Sequence, residues 1–204
     1  RGRAGRQAGR HWRSADRSVA VTLGISPRGA FASVVTRSGR AEVTLDTGLT
    51  ERAWHDIACC VDLRRGVLDV AQAPRHRRLD RREDGHASAG LAPDGTPFGP
   101  GTAAIAAEHD GDSGAMRNHF NGKIERPRIL RGSRGIEDLL AQQAAGSAPP
   151  PASVVADWDL SVGIPTLIVA DTGRSAWHGQ CVNLPTRAVT GSRWSGRHHR
   201  WGEA

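Results

Sequence analysis

The amino-acid sequence predicts an all-β protein, an antiparallel β-sandwich with one short helix. Segments in which apolar side chains take alternate positions recur along the chain, as expected of strands with one buried face. Glycine and proline, 25 and 11 of the 204 residues, supply frequent turns between these segments. A helical pattern occurs once, over residues 135–145, whereas a parallel α/β fold would need helices between its strands. The sequence therefore favours a sandwich.

The first predicted strands follow a basic segment. Residues 1–17 contain six arginines and no apolar run, so we expect a disordered Arg/Gly-rich tail there. From Ser18 onward apolar residues alternate up to Leu23, which predicts a strand. Two more strands are predicted around residues 31–35 and 42–45, with turns between them.

The clearest predicted hairpin joins residues 54–62 to residues 67–70. Residues 74–100 are polar and rich in Gly and Pro, and we expect a long loop or an interrupted hairpin there. The predicted helix over 135–145 ends at Gly146. Further strands are predicted over residues 102–107, 120–130, 154–160 and 166–170.

The formal charge of +7 raises the question of nucleic-acid binding. The basic residues fall in separate stretches, residues 1–17, 75–82 and 193–200, and not in one stripe. A basic nucleic-acid-associated protein is therefore kept only as a second alternative function.

Cysteine usage predicts a reducing, cytoplasmic compartment. The cysteines are Cys59, Cys60 and Cys181, and adjacent cysteines rarely form a structural disulfide because the geometry is strained. Their spacing also lacks the pattern of a zinc site. No stretch approaches the roughly 18 apolar residues that span a membrane, so no membrane partner is expected.

Two carboxylate pairs are candidates for chemistry. Asp110 and Asp112 lie in a predicted loop and could bind a cation, although calcium takes roughly six to eight oxygen ligands and an exposed turn is the simpler interpretation. Asp157 and Asp159 would share one face of a strand, as the two carboxylates of a glycosidase could. The strand lacks the E-x-D-x-x-E pattern of such enzymes, which favours structural roles.

No catalytic or cofactor-binding residue is assigned, because neither HExxH nor GxSxG occurs. Trp177, Trp194 and Trp201 lie in the turn-rich C-terminal stretch and are interpreted as interface residues, since large aromatic side chains are enriched in interface cores. A sugar-stacking platform is the alternative interpretation, and a carbohydrate-binding module is accordingly the alternative function.

Two segments resemble known families. Residues 119–129, HFNGKIERPRI, resemble the laminin-G/concanavalin A-like jelly-roll family, in which the glycine allows a bulge and the isoleucine packs on the inner sheet. A second string, with VADWDL from Val155 and VNLPTRAVTG from Val182, followed by Trp194, looks like the stretch after the laminin-G-like domain in the large subunit of the N,N-dimethylformamidase family.

That family hydrolyses N,N-dimethylformamide to formate and dimethylamine, so the resemblance implies that the parent protein is an amidohydrolase. The resemblance also places the family's iron, held by tyrosines and a glutamate, in a domain downstream of this segment. This chain contains no tyrosine, so we expect no catalytic residue, metal or cofactor in it, and we expect the chain alone to be inactive.

Together with the composition, this resemblance predicts how the chain is divided into domains. A disordered tail over residues 1–17 precedes a laminin-G-like sandwich over 18–170, and residues 171–204 form a connector toward a missing catalytic domain. Because the chain starts at Arg1 and not at methionine, we expect it to be a truncated piece of a larger subunit. The expected partners are that catalytic domain and a small subunit, in an oligomeric parent enzyme.

Overall fold

A computed structural model describes residues 7–76, 82–110, 113, 115–132, 135–183, 185–187 and 191. The chain divides into two compact units. The first comprises Arg1–Gly122 and Ser133–Ala148, and the second comprises Lys123–Gly132 and Pro149–Ala204.

The first unit is built on a five-stranded antiparallel sheet with the strand order β4-β3-β2-β1-β8. Hairpins join β1 to β2, β2 to β3 and β3 to β4, with a register shift between Ala8 and Arg10 in the β1–β2 pair. β8 pairs with the other edge of β1. The strands are β1 Gln7–Ser14, β2 Ala20–Ser26, β3 Gly29–Thr36, β4 Gly39–Thr44 and β8 Gly101–Ile105.

A three-stranded antiparallel sheet, β5-β6-β7, packs against the inner face of the larger sheet. Its strands are β5 His55–Asp62, β6 Val67–Pro74 and β7 Gly85–Gly90. Gly66 in the β5–β6 turn has a φ of +66°, and a Cβ there would collide with the Leu91 carbonyl oxygen, so the turn requires glycine.

Alternate side chains of the two sheets form the core between them. Leu68 and Val70 of β6 are completely buried, as is Val34 of β3. Burial of each such side chain contributes about 1.5–3 kcal/mol to folding. The period-two pattern of the sequence therefore specifies which face of each strand enters the core.

Shorter elements complete the first unit. The hairpin of β9 Glu108–His109 and β10 Met116–Arg117 contacts β1 and β8 through β9. The helix α1, Ile136–Ala144, packs on β5 and β6 and buries Ile136. Gly146 follows the helix with a φ of +67°, and its N–H bonds to the Gln143 carbonyl, which ends the helix.

Among its described residues, the second unit contains two small antiparallel strand pairs. β11 Arg128–Leu130 pairs with β12 Val154–Asp157, and β13 Ile168–Val169 pairs with β14 Gly179–Gln180. An isolated β-bridge between Trp158 and Asp171 joins the ends of these pairs.

The predicted fold class is confirmed, because antiparallel strands dominate and α1 is the single α-helix within the described ranges. The predicted extent of the sandwich, residues 18–170, stays a prediction. No helix in the described part of the chain is long and apolar enough to cross a membrane.

Two local predictions need correction, and a third is met by one of its two alternatives. The predicted disorder over residues 1–17 is wrong for β1, which lies between β2 and β8 with backbone partners on both sides. For residues 74–100 we predicted a loop or an interrupted hairpin, and β7, which lies there, pairs antiparallel with β6, in agreement with the second alternative. The predicted strand over 120–130 is reduced to β11, because Pro127 immediately precedes the paired residues and has no N–H to donate.

Candidate functional site

The second unit exposes a group of large apolar side chains, which we call the apolar surface. Each of them is between 38% and 56% exposed. They lie in the loop before β13, in the β13–β14 hairpin and just after it. The members of the apolar surface are Val162, Ile164, Leu167, Ile168, Trp177 and Val182.

Arg187 fixes the loop that carries half of this surface. Its Nε donates to the Leu160 carbonyl at 3.2 Å, and Nη2 donates to the Val162 carbonyl at 2.5 Å. Nη1 donates to the carbonyls of Thr166 and Ile168 at 3.1 and 3.0 Å. Because the guanidinium presents its donors in a rigid plane, one side chain holds four backbone carbonyls of the loop in place.

Asp171 organises the segment that carries Trp177. Its carboxylate accepts hydrogen bonds from the backbone N–H groups of Asp157 at 2.8 Å, Gly173 at 2.7 Å and Trp177 at 2.7 Å. Burial of Asp171 opposes its ionisation, but the three N–H donors outweigh it and hold the pKa of the carboxyl below its usual value. An ionised, buried carboxylate therefore links β12 to this segment.

Trp177, one of the predicted interface residues, is held from a second side. The indole Nε1 of Trp158, which is buried, donates to the Trp177 carbonyl at 2.7 Å. The Trp177 side chain itself remains 38% exposed. The other two predicted interface residues, Trp194 and Trp201, lie outside the described residues.

The carboxylates of the predicted glycosidase-like pair have separate local partners. Asp157 is nearly buried and forms ion pairs with Arg126 at 3.2 Å and Arg128 at 3.1 Å. Asp159 follows the end of β12 and accepts hydrogen bonds from the backbone N–H and the hydroxyl of Ser161. These contacts give both carboxylates a structural role in the second unit.

The candidate cation ligand Asp110 pairs with a cation of the chain itself. Arg117 Nη2 lies 2.5 Å from its carboxylate, and the Ser113 hydroxyl donates to the same oxygen at 2.7 Å. Asp112 lies outside the described residues. Across the described part of the chain, no three histidine, cysteine or acidic side chains are grouped as a metal site would require.

The cysteines are free thiols in the structure. Cys59 points toward the core and packs against it, whereas Cys60 takes the opposite face of β5. Burial raises the pKa of the Cys59 thiol to about 11, which makes it a poor nucleophile at neutral pH.

Sequence reasoning missed the role of Arg187. The apolar residues of the loop were interpreted in part as a strand over 166–170, and only Ile168 and Val169 pair in that way. Arg187 donates to backbone carbonyls of residues that lie about twenty positions or more earlier in the sequence. Such contacts produce no pattern of apolar and polar residues, so only the structure reveals them.

The sequence of the chain is similar to parts of two known proteins. The chain is 40% identical over 96 residues to the N,N-dimethylformamidase beta subunit of Paracoccus aminophilus, a match that covers 45% of this chain and 12% of that protein. It is 28% identical over 208 aligned residues to the N,N-dimethylformamidase beta subunit of Alcaligenes sp, covering 94% of this chain and 26% of that protein. No protein-family model matches the chain.

The chain thus spans about an eighth to a quarter of the length of these relatives. The predicted relationship to dimethylformamidase is supported by both matches, whereas the assignment to a large subunit stays a prediction, because both relatives are named beta subunits. Over nearly its whole length, the chain is similar in sequence to a part of a dimethylformamidase beta subunit.

Proposed function

We propose that this chain is a non-catalytic β-sandwich module of an N,N-dimethylformamidase-like amidohydrolase and that it contributes a contact surface to that enzyme. The observation that carries the proposal is the apolar surface, in a chain whose relatives are named as subunits. These six exposed side chains all fall within residues 162–182, and exposed apolar patches on a protein surface commonly mark interaction sites.

The geometry of the apolar surface supports a contact role. Arg187 holds the loop from Leu160 to Ile168 in one conformation, and Asp171 does the same for the segment before Trp177. Because these segments are ordered before association, less conformational entropy is lost on binding. The occupant that we propose is an uncharged, apolar face of the catalytic part of the parent enzyme.

The iron chemistry implied by the resemblance does not fit this chain. The resemblance places the iron on tyrosines and a glutamate, and the chain has no tyrosine. We therefore derive no catalytic step here, and the iron is expected in another part of the parent enzyme.

The carbohydrate-binding alternative requires an aromatic row exposed on one sheet face. On the outer face of the five-stranded sheet, Phe31 is only 5% exposed. Trp12 lies on the opposite face and packs against the core. No observation in the described residues favours this alternative over the contact role.

Co-purification tests the proposed contact. The tagged chain is co-expressed with a dimethylformamidase beta subunit that lacks the region similar to this chain, and the complex is isolated by size exclusion. Ile168→Asp should abolish co-elution, because it places a charge in the apolar contact. Val35→Asp is the matched control, since Val35 is also exposed (44%) but lies on β3 of the first unit. Equal co-elution of both variants would refute the assigned surface.

An activity assay tests the non-catalytic role separately. The purified chain is incubated with N,N-dimethylformamide and ferrous iron, and formate release is followed. We expect no release above the protein-free rate. Iron-dependent turnover by the chain alone would refute the proposal of a non-catalytic module.

A further inference from the structure

One edge of the five-stranded sheet in the first unit is open. β8 pairs with β1 on one side, and no described strand pairs with its other side. Just before β8 begins, the Ala15 N–H donates to the Pro100 carbonyl at 2.8 Å, which sets the phase of the ladder. Since inward and outward backbone groups alternate along an antiparallel edge strand, every second residue of β8 directs its N–H and carbonyl away from β1. These residues are Gly101, Ala103 and Ile105.

The two edges of this sheet differ in charge. The opposite edge strand, β4, carries Arg40 and Glu42, and charged side chains on an edge strand oppose pairing with another chain. β8 has the sequence GTAAI, which contains neither a charged residue nor a proline. An uncharged edge with outward backbone groups is a template for one more strand.

Apolar surface adjoins this edge on the inner face of the sheet. The three-stranded sheet packs mainly against β3 and β4, so the inner face extends beyond it on the β8 side. Trp12 of β1 lies there beside Ala103, and the ring of Phe98 covers it with a centroid distance of 5.4 Å. Phe98 is 48% exposed, and Ala103 is exposed as well. A strand added at β8 would therefore also cover apolar side chains.

Two copies of β8 complement each other in one antiparallel register. With Ala103 on a two-fold axis, it faces its counterpart, and Gly101 faces Ile105 of the second copy. Each of these pairs exchanges two backbone hydrogen bonds, so all the outward residues find partners. A Cβ at Gly101 would come within 2.8 Å of the Trp12 indole, so the indole fills the space beside Gly101. Ile105 of the second copy would pack on that indole, and no charged side chains of β8 would meet.

We propose that the outer edge of β8 pairs antiparallel with β8 of a second copy of this chain, which joins two five-stranded sheets into one continuous sheet. The pairing uses the first unit alone and does not depend on the proposed contact role of the second unit. Because a five-residue edge and the Phe98 surface make a contact smaller than the roughly 1,200 Å² of a standard interface, the dimer is weak and forms at high concentration.

Amide exchange measured by NMR, at chain concentrations from about 10 µM to about 1 mM, tests this pairing, since weak complexes dissociate in that range. The amides of Gly101, Ala103 and Ile105 should exchange more slowly as the concentration rises. Those of Thr102 and Ala104 are directed to β1 and should not change. Sedimentation equilibrium over the same range should show conversion of monomer to dimer.

Two variants at one exposed position probe the edge. Ala103→Lys should weaken dimerisation about tenfold or more, because like charges then face each other across the axis. Ala103→Pro removes only an outward N–H, which an edge strand tolerates, so it should also weaken the dimer while the circular dichroism spectrum is kept. Val35→Lys, at an exposed position of β3 inside the same sheet, is the matched control and should dimerise as before.

Concentration-dependent protection that is lost in either Ala103 variant and kept in Val35→Lys supports the pairing. Three results would overturn it. The first is a chain that stays monomeric at every concentration. The second is a dimer that Ala103→Lys leaves intact and Ile168→Asp dissociates, which would assign self-association to the apolar surface. The third is a monomeric chain in which a dimethylformamidase beta subunit lacking the similar region protects the same amides, which would make a strand of the parent enzyme the occupant.

Discussion

The side chain of Gln72 on β6 bonds to the backbone of Ala30 on β3 and so links the two sheets of the first unit. Gln72 Oε1 accepts from the Ala30 N–H at 2.8 Å, and Nε2 donates to the carbonyls of Thr47 at 2.8 Å and Glu83 at 2.9 Å. The residue is 1% exposed. Both polar groups of this buried side chain therefore have hydrogen-bond partners. Through them Gln72 attaches the segments that contain Thr47 and Glu83 to the sandwich.

Gln72→Leu should destabilise the chain by about 2–4 kcal/mol, because it leaves one N–H and two carbonyls without their partner in a buried place. Urea unfolding followed by tryptophan fluorescence measures the change. Gln180→Leu, at an exposed position of β14, should change the stability by less than about 0.5 kcal/mol. A Gln72→Leu variant as stable as the control would contradict the assigned role of this network.

His11 should make the first unit sensitive to mild acid. Burial, the largest effect, lowers its pKa in the folded state below the usual 6.5. A histidine with a lowered folded pKa stabilises the fold above 6.5, and this contribution is lost as the pH falls from 6.5 toward the folded value.

The measurement compares unfolding midpoints at pH 7.5 and pH 5.5. His11→Gln removes the titrating group, so the midpoint should fall less on acidification than in the unmodified chain. His119→Gln, at an exposed histidine, should leave the pH dependence as it is. Identical pH dependence in both variants would show that His11 does not carry the effect.

The sequence predicted the elements whose signal is local. β2, β3 and β4 alternate apolar and other residues, and turn sequences separate them, Ser26-Pro27-Arg28-Gly29 and Ser38-Gly39. The three strands and the turns between them were therefore predicted. The helix was predicted within one residue at each end, because Gly146 marks its termination.

Elements defined by partners far along the chain escaped sequence analysis. β1 has an Arg-rich composition typical of disorder, yet it pairs on both sides and buries His11 against Thr22. The loop before β13 depends on Arg187, which donates to the Leu160 carbonyl 27 residues earlier in the chain. Such contacts depend on tertiary packing, which overrides local propensity.

Asp171→Asn should destabilise the second unit by about 1–3 kcal/mol, since three backbone N–H groups lose a charged acceptor. The same three bonds lower the pKa of this carboxyl despite its burial, so its stabilising contribution should be present at neutral pH and decline in acid. Thermal unfolding of the variant measures the loss, with Asp138→Asn on the exposed face of α1 as the control. A variant that unfolds at the same temperature as the control would contradict the role of Asp171.

Arg187→Lys should loosen the loop from Leu160 to Ile168 while the charge is kept. A lysine ammonium cannot reach four carbonyls in the plane that the guanidinium spans. Hydrogen exchange of the peptide covering residues 160–168 should become faster, whereas the β5–β6 hairpin of the first unit should exchange as before. Arg174→Lys, at an exposed arginine of the second unit, is the matched control. Unchanged exchange in Arg187→Lys would mean that the loop is held by its own turns, such as the Thr166 N–H bond to the Gly163 carbonyl, and that Arg187 does not order the apolar surface for binding.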